Sequence, residues 1–513
     1  MAETTDGADL DNRNTAVQLI GLIGGPVVAL LFLALFDIDP GHPEVERMAA
    51  VTFVMAVWWI TEAVPLASTA LLPVFLFPML GIMDGKSVSS QYFNHVIFLF
   101  LGGFLMAIAM ERWNLHRRIA VNILLVLGTN MWGIMLGFMV ATGFLSMWIS
   151  NTASAMIMVP IVLAVVLKLE ESFGKESMKE YAKGLLLGVA YSASIGGAAT
   201  IVGTPPNAAF IKIFEITFPK APEISFAQWM AFGLPISLFF LAAAWLYLFL
   251  VFRPKGSFVF DIDEFRKQRT ALGTMKYEEK VVAVAFCALV LMWLTRKSLG
   301  LGIITIPGWG ELFANPAYLN DGVAAIALAT ILFAIPSRSE PGARVLDWTA
   351  VTRLPWDIVL LFGGGFALAK GFEVSGLSVW VGSNLEFVSS FHPVLVLVII
   401  CLFSTFLTEF TSNTATAQIM LPILASLAVA AGFNPLFIMI PATFSFSFAF
   451  MLPVATPPNA IVFGAGRLRI VDMAKAGLAM NLIGVIVVVL AAIFIMPLAL
   501  DMGSGAMPDW VAK

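Results

Sequence analysis

Long apolar segments separated by short polar ones constrain this 513-residue chain more than any other feature. Many of them approach the roughly 20 residues that a helix needs to cross a bilayer. Inside lipid every backbone polar group must be satisfied within the protein, which leaves helices or closed barrels. The runs are unbroken and do not alternate in polarity as barrel strands do, so they predict an all-α polytopic membrane protein. The apolar runs lie near 16–36, 47–63, 65–83, 95–111, 132–167, 184–213, 226–252, 280–295, 321–336, 356–373, 393–430, 434–466 and 475–500.

Composition agrees with a membrane protein and excludes several other classes. The chain is 59% hydrophobic and 12% charged, whereas a soluble domain carries about twice that share of charge. A net charge of −4 without a basic cluster predicts no nucleic-acid partner. Cys287 and Cys401 lie in apolar runs and the four histidines share no ligand spacing, so neither a disulfide nor a histidine–cysteine metal site is indicated.

Two of the runs, 132–167 and 393–430, are too long for one helix and too short for two full spans. Each holds the polar phrase Ser-Asn-Thr near its middle, at 150–152 and at 412–414. Irregular backbone at membrane depth is tolerated only inside protein or beside water. We therefore expect two re-entrant hairpins, which leaves about eleven transmembrane helices.

The basic residues predict how the chain is oriented. With the N-terminus in the cytoplasm, about 21 of the 29 lysines and arginines fall on cytoplasmic segments, as the positive-inside rule requires. The C-terminus then lies outside. The predicted organisation is an N-terminal segment with the first span (1–46), a first repeat (47–252), a cytoplasmic linker (253–280), a second repeat (281–500) and a C-terminal tail (501–513).

An internal repeat relates the two halves. An offset of 262 residues aligns the Ser-Asn-Thr phrases and also places Pro160 on Pro422. Thr-Pro-Pro-Asn phrases at 204–207 and 456–459 match at an offset of 252. In the predicted topology the first hairpin opens inward and the second outward, so the halves are inverted-topology repeats. Such repeats place a binding site at their interface near the membrane midplane, which predicts a transporter.

The polar phrases carry uncharged ligands. The first hairpin tip offers Ser146, Ser150 and Asn151, and the second offers hydroxyl and amide groups at the same spacing; hydroxyl, amide and backbone carbonyl oxygens suit a cation such as sodium. Glycine and proline pairs are predicted to unwind two further helices, within 184–213 and 434–466. The pairs are Gly196-Gly197 and Pro205-Pro206 in the first helix, and Pro457-Pro458 in the second. Unwound helices expose half-helix N-termini, which favour anions.

Charge is nearly absent from these segments. No lysine or arginine lies within 142–167, 190–211, 404–425 or 441–466, so a bound di-anion would be balanced by helix dipoles, polar donors and co-bound cations. Glu409 breaks the symmetry, because Met147 occupies its counterpart position. Three roles stay open for this carboxylate: a cation ligand, a proton acceptor, or a structural group at a helix end.

At these phrases the chain resembles the divalent anion/sodium symporter (DASS) family, over nearly its whole length. The resemblance implies a homodimer in which a scaffold domain holds the dimer and a transport domain crosses the membrane as an elevator. It implies a first sodium site formed by Ser146, Ser150, Asn151 and Gly203, and a second formed by Thr408, Ser412, Asn413 and Ala455. The substrate contacts that it implies are Asn151, Thr152, Thr204, Asn413, Thr414 and Pro457.

The expected function is sodium-coupled symport of C4-dicarboxylates such as succinate, malate and fumarate across a bacterial inner membrane. The family implies a sodium-independent dicarboxylate exchanger as the alternative. An intramembrane enzyme would need a Ser–His, paired-Asp or His-Glu-x-x-His arrangement at membrane depth, which the segments lack. A passive channel is disfavoured, because paired cation and anion sites suit alternating access.

Overall fold

The computed structural model describes residues 5–127, 130–254, 263–300, 305–500 and 507–511, and these residues are predominantly helical. Twenty-four α-helices lie within the described ranges. One small sheet accompanies them there, a hairpin of β1 (Leu299–Gly300) and β2 (Thr305–Ile306). The predicted all-α class is confirmed, and the hairpin is an addition that the apolar runs did not indicate.

The helices of the first half include every predicted apolar run before the linker. They are α1 (Thr5–Leu35), α2 (Pro43–Thr61), α3 (Leu66–Thr69), α4 (Leu72–Met79), α5 (Gly85–Tyr92), α6 (His95–Arg112), α7 (Leu115–Leu127), α8 (Met131–Ser146), α9 (Asn151–Phe173), α10 (Lys175–Gly197), α11 (Pro205–Thr217), α12 (Phe226–Phe252) and α13 (Asp263–Ala271).

The second half is built in the same manner. Its α-helices are α14 (Tyr277–Leu294), α15 (Asp321–Ala334), α16 (Trp348–Thr352), α17 (Trp356–Ser375), α18 (Leu377–Asn384), α19 (Pro393–Leu407), α20 (Asn413–Ala430), α21 (Pro435–Ser447), α22 (Pro457–Gly464), α23 (Ile470–Phe494) and α24 (Met496–Leu500). Short 3-10 helices cover Trp309–Leu312, Pro316–Tyr318, Glu386–Ser390 and Asp509–Val511.

One order of elements occurs twice along the chain. A long helix, a short helix, a helix pair broken at Ser-Asn-Thr, a helix broken before Thr-Pro-Pro-Asn and another long helix run from α6 to α12. The same order runs from α17 to α23. The inverted orientation of the two repeats and the predicted domain boundaries remain predictions. Residues 255–262 of the predicted linker and 501–506 and 512–513 of the predicted tail lie outside the described residues.

Seven helices in the described part of the chain are long and apolar enough to cross a membrane. Five shorter apolar helices accompany them, among them α8 and α19, which begin the two predicted hairpins. The predicted total of about eleven spans and two re-entrant hairpins stays a prediction. The spanning candidates are Ala16–Leu35, Gly85–Arg112, Asn151–Phe173, Phe226–Phe252, Trp356–Ser375, Asn413–Ala430 and Ile470–Phe494.

Proline chemistry explains where the broken helices resume. Thr204 and Thr456 both have extended backbone, with φ −142° and φ −144°, because the residue before a proline is driven out of the helical region. The prolines that follow occupy the first turn of α11 and α22. Proline lacks a backbone N–H, but an N–H in the first turn would have no acceptor within the helix. Each Thr-Pro-Pro-Asn phrase therefore starts a helix as well as ending an irregular segment.

Buried apolar side chains form two clusters. The larger cluster extends from α6 to α24, and the smaller joins α2 to α5 with α17 and α18. Helix α1 packs on α2 and exposes many of its apolar side chains, including Ile20 and Leu30. A soluble protein rarely exposes so continuous an apolar surface, whereas a lipid-facing helix requires one.

A buried ion pair attaches the short helix α7 to α14. The sequence analysis did not predict this ion pair. Arg118 on α7 donates to both carboxylate oxygens of Glu279 on α14, over 2.5 and 3.0 Å. Its guanidinium also donates to the carbonyl of Gly273, over 3.0 Å. A bidentate arginine is the geometry that best offsets the cost of burying two charges. The described part of the predicted linker is therefore attached to α7.

A second polar cluster joins α11 and the turn after it to helices α6, α14 and α15. Arg296, after α14, donates to Asp321 of α15 over 2.6 Å and to Glu223 of the turn over 2.5 Å. Asp321 also accepts the backbone N–H of Phe226, the first residue of α12, over 2.9 Å. His95 on α6 lies 3.1 Å from Glu215 on α11. This cluster holds one end of α11 in place.

Glu278, at the start of α14, is a buried carboxylate whose charge is held by the loop before α16. Its oxygens accept the backbone N–H groups of Arg338 and Ser339 over 2.6 and 2.7 Å, and the hydroxyls of Ser337 and Ser339 over 2.8 Å. Burial alone would raise the pKa of Glu278, but the hydrogen bonds from Ser339 and Ser337 lower it to about 2. The folded state therefore favours the ionised carboxylate.

We expect Glu278→Gln to lose about 2 kcal/mol of stability at pH 7, because the amide cannot accept all of these hydrogen bonds. A carboxyl with a lowered pKa stabilises the fold only while it is ionised. The difference from wild type is therefore full above about pH 4.5 and disappears as the pH falls towards 2. Thermal unfolding of the purified protein in detergent measures this difference. The exposed Glu311→Gln serves as the control, and equal losses in both variants would contradict the prediction.

Candidate functional site

The first hairpin breaks where its polar phrase begins. Helix α8 ends at Ser146 and α9 starts at Asn151, and Ser150 caps α9 by accepting the backbone N–H of Ala153 over 3.2 Å. The buried hydroxyl of Ser146 lies 2.5 Å from Asn151 Oδ1 and donates to it. Three of the four predicted ligands of the first sodium site, Ser146, Ser150 and Asn151, therefore lie at one tip.

The second hairpin has the same internal arrangement. Helix α19 ends at Leu407, α20 starts at Asn413, and Ser412 caps α20 through the backbone N–H of Ala415 over 3.5 Å. The hydroxyl of Thr408 donates to Asn413 Oδ1 over 2.7 Å. In both tips a hydroxyl five positions before the asparagine donates to the amide oxygen and so fixes the orientation of the amide group. The amide nitrogen takes no part in this hydrogen bond and points away from it.

The irregular residues 198–204, here called the first unwound segment, lie against the first tip. The hydroxyl of Thr200 donates to the carbonyl of Met147 over 2.6 Å and accepts the N–H of Gly203 over 3.0 Å. The amide of Asn207 donates to the carbonyls of Ala198 and Thr200, over 3.2 and 2.8 Å. These side chains supply the hydrogen bonds that an uninterrupted helix would have made for itself.

The first hairpin tip can approach the first unwound segment closely because Gly197, the last residue of α10, has no side chain. A Cβ on Gly197 would collide with Asn151 Oδ1 and would lie 3.0 Å from the carbonyl oxygen of Gly203. The amide oxygen of Asn151 and the carbonyl of Gly203 therefore converge beside this glycine. As expected, the helix is interrupted at the Gly196-Gly197 pair: α10 ends at Gly197, residues 198–204 are irregular, and both glycines also allow close packing.

The irregular residues 448–456, here called the second unwound segment, are held in a related way. The amide of Asn459 donates to the carbonyls of Ala449 and Leu452, over 3.1 and 3.0 Å. The carbonyl of Leu452 also accepts the N–H of Ala455 over 3.2 Å. Three backbone N–H groups of this segment, those of Phe450, Met451 and Leu452, donate to the carboxylate of Glu409.

Helices α9, α11, α20 and α22 each start at one of these interruptions, and they pack across the two repeats. Helix α9 packs against α22, and α11 packs against α20. The hydroxyl of Thr204, in the first unwound segment, lies 3.5 Å from that of Ser447 at the end of α21. A helix that follows a hairpin tip in one repeat therefore packs against a helix that follows an unwound segment in the other repeat, twice over.

The predicted substrate contacts differ in exposure. Asn151, Thr152 and Asn413 are half-buried, Thr204 and Thr414 are buried, and Pro457 is exposed. The exposure of Pro457 reflects the position of α22, which packs mainly against α9 and α10 and leaves Val454 and Ala460 open. Its counterpart α11 is buried against α17 and α20.

Two cavities lie away from the predicted site. One of about 740 Å³ lies between the end of α11, α17, α18 and α20, beside Trp510. The other, of about 370 Å³, lies beside His95, Glu215 and Asp321. None of the predicted site residues lines either cavity. No group of three or more histidine, cysteine or acidic side chains converges within the described residues, so a site for a divalent metal is not indicated there.

Sequence reasoning missed one residue that builds the site, Thr200, and left the role of another, Glu409, open. Thr200 bridges the first unwound segment to the first tip, yet its repeat counterpart is Leu452, so the alignment of the repeats gave no signal. Glu409 was left with three possible roles, and the structure shows that its carboxylate accepts backbone N–H groups of the second unwound segment. The absence of a matching carboxylate at Met147 was the one available signal.

Comparison with known proteins follows this geometry. The sequence profile of the family described as "Sodium:sulfate symporter transmembrane region" matches residues 25–500. A sodium-dependent dicarboxylate transporter, SdcS, of Staphylococcus saprophyticus is 43% identical over 94% of this chain and 92% of its own. The SdcS of Staphylococcus aureus strain RF122 is 45% identical over 95% and 92%. Both relatives are named as transporters.

Two solved structures share the fold at low sequence identity. Neisseria gonorrhoeae MtrF, of a class of antimetabolite efflux pumps, has a TM-score of 0.54 at 12% identity and covers 80% of this chain and 83% of its own. The YdaH transporter of Alcanivorax borkumensis has a TM-score of 0.56 at 12% identity and covers 87% and 98%. These likenesses concern the fold alone. On its match over residues 25–500 and its 43–45% identical relatives, the chain is an integral membrane protein that belongs to the sodium:sulfate symporter family.

Proposed function

We propose that this protein is a sodium-coupled symporter of C4-dicarboxylates such as succinate, malate and fumarate. The observation that carries the proposal is the repeated arrangement in which each hairpin tip is hydrogen-bonded to the unwound segment of its own repeat, without a basic side chain in their sequences. The names of the SdcS relatives, sodium-dependent dicarboxylate transporters, support the same coupling. A bacterial inner membrane, a cytoplasmic N-terminus and an external C-terminus are part of the proposal.

The ligand chemistry at each tip supports a monovalent cation. The first sodium site would use Ser146, Ser150, Asn151 and the carbonyl of Gly203. The second would use Thr408, Ser412, Asn413 and the carbonyl of Ala455. Neutral oxygen ligands hold a single positive charge without the clustered carboxylates that calcium sites use. The convergence of Asn151 Oδ1 and the Gly203 carbonyl beside Gly197 supports the first assignment.

Four helix N-termini at the interruptions suit a ligand with two carboxylates. Each N-terminus carries about half a positive charge and presents unpaired N–H groups, which favour an anion. The N-termini of α9, α11, α20 and α22, which start at the four interruptions, would face the two carboxylates. The side chains proposed to contact the substrate are Asn151, Thr152, Thr204, Asn413, Thr414 and Pro457. Bound sodium would offset the remaining negative charge.

The unequal exposure of α11 and α22 supports an elevator mechanism. Here α11 is buried, contacts His95 through Glu215 and is followed by a turn held by the Arg296–Glu223 ion pair, while α22 presents an open face. Inverted repeats exchange their environments when a transport domain crosses the membrane. We propose that α22 docks against the scaffold domain in the opposite state and that α11 is then released, within a homodimer.

Labelled succinate uptake into proteoliposomes with empty lumens tests the coupling. We expect accumulation above equilibrium with an inward sodium gradient and only background uptake when potassium replaces sodium. If the sodium ions carry more positive charge inward than the dicarboxylate carries negative charge, the cycle moves net positive charge into the vesicle. An inside-negative potential then adds about 2.3 kcal/mol per net charge per 100 mV to the driving force. Uptake that ignores sodium and requires preloaded dicarboxylate would instead identify an exchanger.

Gly197→Ala tests the first sodium site without removing any ligand. The added methyl group would displace Asn151 Oδ1, so we expect the sodium concentration for half-maximal uptake to rise at least about tenfold. Gly24→Ala on α1 is the matched control, because its Cβ would meet only Ile20 Cγ2, at 4.0 Å. A sodium dependence unchanged by Gly197→Ala would argue against a cation at this position.

A bulky label on α22 tests the elevator. In a background with Cys287 and Cys401 replaced by serine, we expect maleimide labelling of Ala460→Cys to reduce uptake by about half or more, because the enlarged face cannot dock. Labelling of Glu176→Cys, whose side chain is 89% exposed, is expected to leave uptake unchanged. Full uptake after complete labelling of Ala460→Cys would contradict docking of this face.

A further inference from the structure

The second hairpin tip contains a buried carboxylate that the first tip lacks. Glu409 follows Thr408, a proposed ligand of the second sodium site, and is 1% exposed. The counterpart position in the first tip is Met147. Burying a carboxylate is costly unless its charge is satisfied, so the surroundings of Glu409 indicate what it does.

Every hydrogen bond that Glu409 makes is one that it accepts. Oε1 accepts the N–H of Phe450 over 2.7 Å, the N–H of Met451 over 2.9 Å and the amide of Asn481 over 2.8 Å. Oε2 accepts the N–H groups of Met451 and Leu452, each over 3.1 Å. An ionised carboxylate has acceptors only, and it matches this set of donors.

No basic side chain balances this carboxylate. Within the described residues no lysine, arginine or histidine forms an ion pair with Glu409, and none occurs in the sequence of 404–425 or 441–466. The donors are neutral backbone and amide groups. The net negative charge therefore stays at the tip and is available to a cation bound beside it.

In the first repeat a hydrogen bond also joins the hairpin to the unwound segment, but the side-chain and backbone partners are exchanged. There the hydroxyl of Thr200, the counterpart of Leu452, donates to the backbone carbonyl of Met147 over 2.6 Å. In the second repeat the side chain belongs to the hairpin and the backbone group to the unwound segment. The link is neutral in the first repeat and anionic in the second.

A short path leads from Glu409 to the second sodium site. Its carboxylate holds the N–H of Leu452, whose carbonyl accepts the N–H of Ala455 over 3.2 Å. Ala455 supplies the proposed carbonyl ligand, and Thr408, next to Glu409 in the chain, supplies a hydroxyl. A charge in a low-dielectric interior acts more strongly on a nearby ion than it would in water.

We propose that Glu409 is a positioning residue of the second sodium site, and that its negative charge makes this site bind sodium more tightly than the first. The inference rests on the proposed sodium-coupled function. The two sites would then fill in order, with sodium at the second tip before sodium at the first. Two nearly identical phrases thereby yield two unequal sites.

Sodium titrations of purified wild type, Glu409→Gln and Glu409→Asp test this inference. The sodium concentration for half-maximal thermal stabilisation, without substrate, reports binding independently of transport. We expect Glu409→Gln to raise it about tenfold, and Glu409→Asp, which keeps the charge, to raise it less than about threefold. Glu373→Gln, in an ion pair with Lys370 far along α17, is the matched control and is expected to titrate as wild type.

A purely structural role predicts a different result. In that case Glu409→Gln would melt at a lower temperature without sodium, while its half-maximal sodium concentration stayed at the wild-type value, and the inference would be wrong. Equal shifts for Gln and Asp would also overturn it. Wild-type protein with no response to sodium would overturn the proposed function and this inference together. For monodisperse variants, the succinate KM at saturating sodium is expected to change less than about threefold.

Discussion

Backbone groups left without helical partners at four interruptions are the constraint on which this structure depends. Apolar surroundings supply no water to satisfy them, so side chains must. Ser150 and Ser412 cap the helices after the hairpin tips, and Asn207 and Asn459 each donate to two carbonyls of an unwound segment. The polar residues of this chain are concentrated where the helices are broken, and the site consists of the oxygens and N–H groups that remain.

That constraint also explains why the site is almost without formal charge. Hydroxyl and amide groups satisfy broken backbone at little cost, whereas a lysine or arginine would carry a large desolvation penalty. In the proposed site the positive potential comes instead from the N-termini of α9, α11, α20 and α22, which start at the four interruptions. Glu409 is the exception, and it is held by three backbone N–H groups and Asn481.

Sequence periodicity and the doubled phrases predicted the helical class, the breaks at Ser-Asn-Thr and the starts of α11 and α22, because each depends on local chemistry. Contacts between elements could not be predicted in this way. Thr200 reaches Met147 through space, and Gly197 is required by the position of Asn151, neither of which leaves a pattern along the chain. Helix α10 begins at Lys175 rather than near 184, because its charged first turns extend beyond the apolar run.

The unlike surfaces of α11 and α22 have a thermodynamic consequence. Helix α11 buries large side chains, among them Phe210, Ile213 and Phe214, whereas the open face of α22 carries proline, alanine and glycine. An exchange of their environments would expose more apolar surface than it buries. Hydration of apolar surface raises heat capacity, so the equilibrium between the two states would curve with temperature rather than follow a straight van't Hoff line. The balance between inward and outward states of this chain would then depend on growth temperature as well as on its ions.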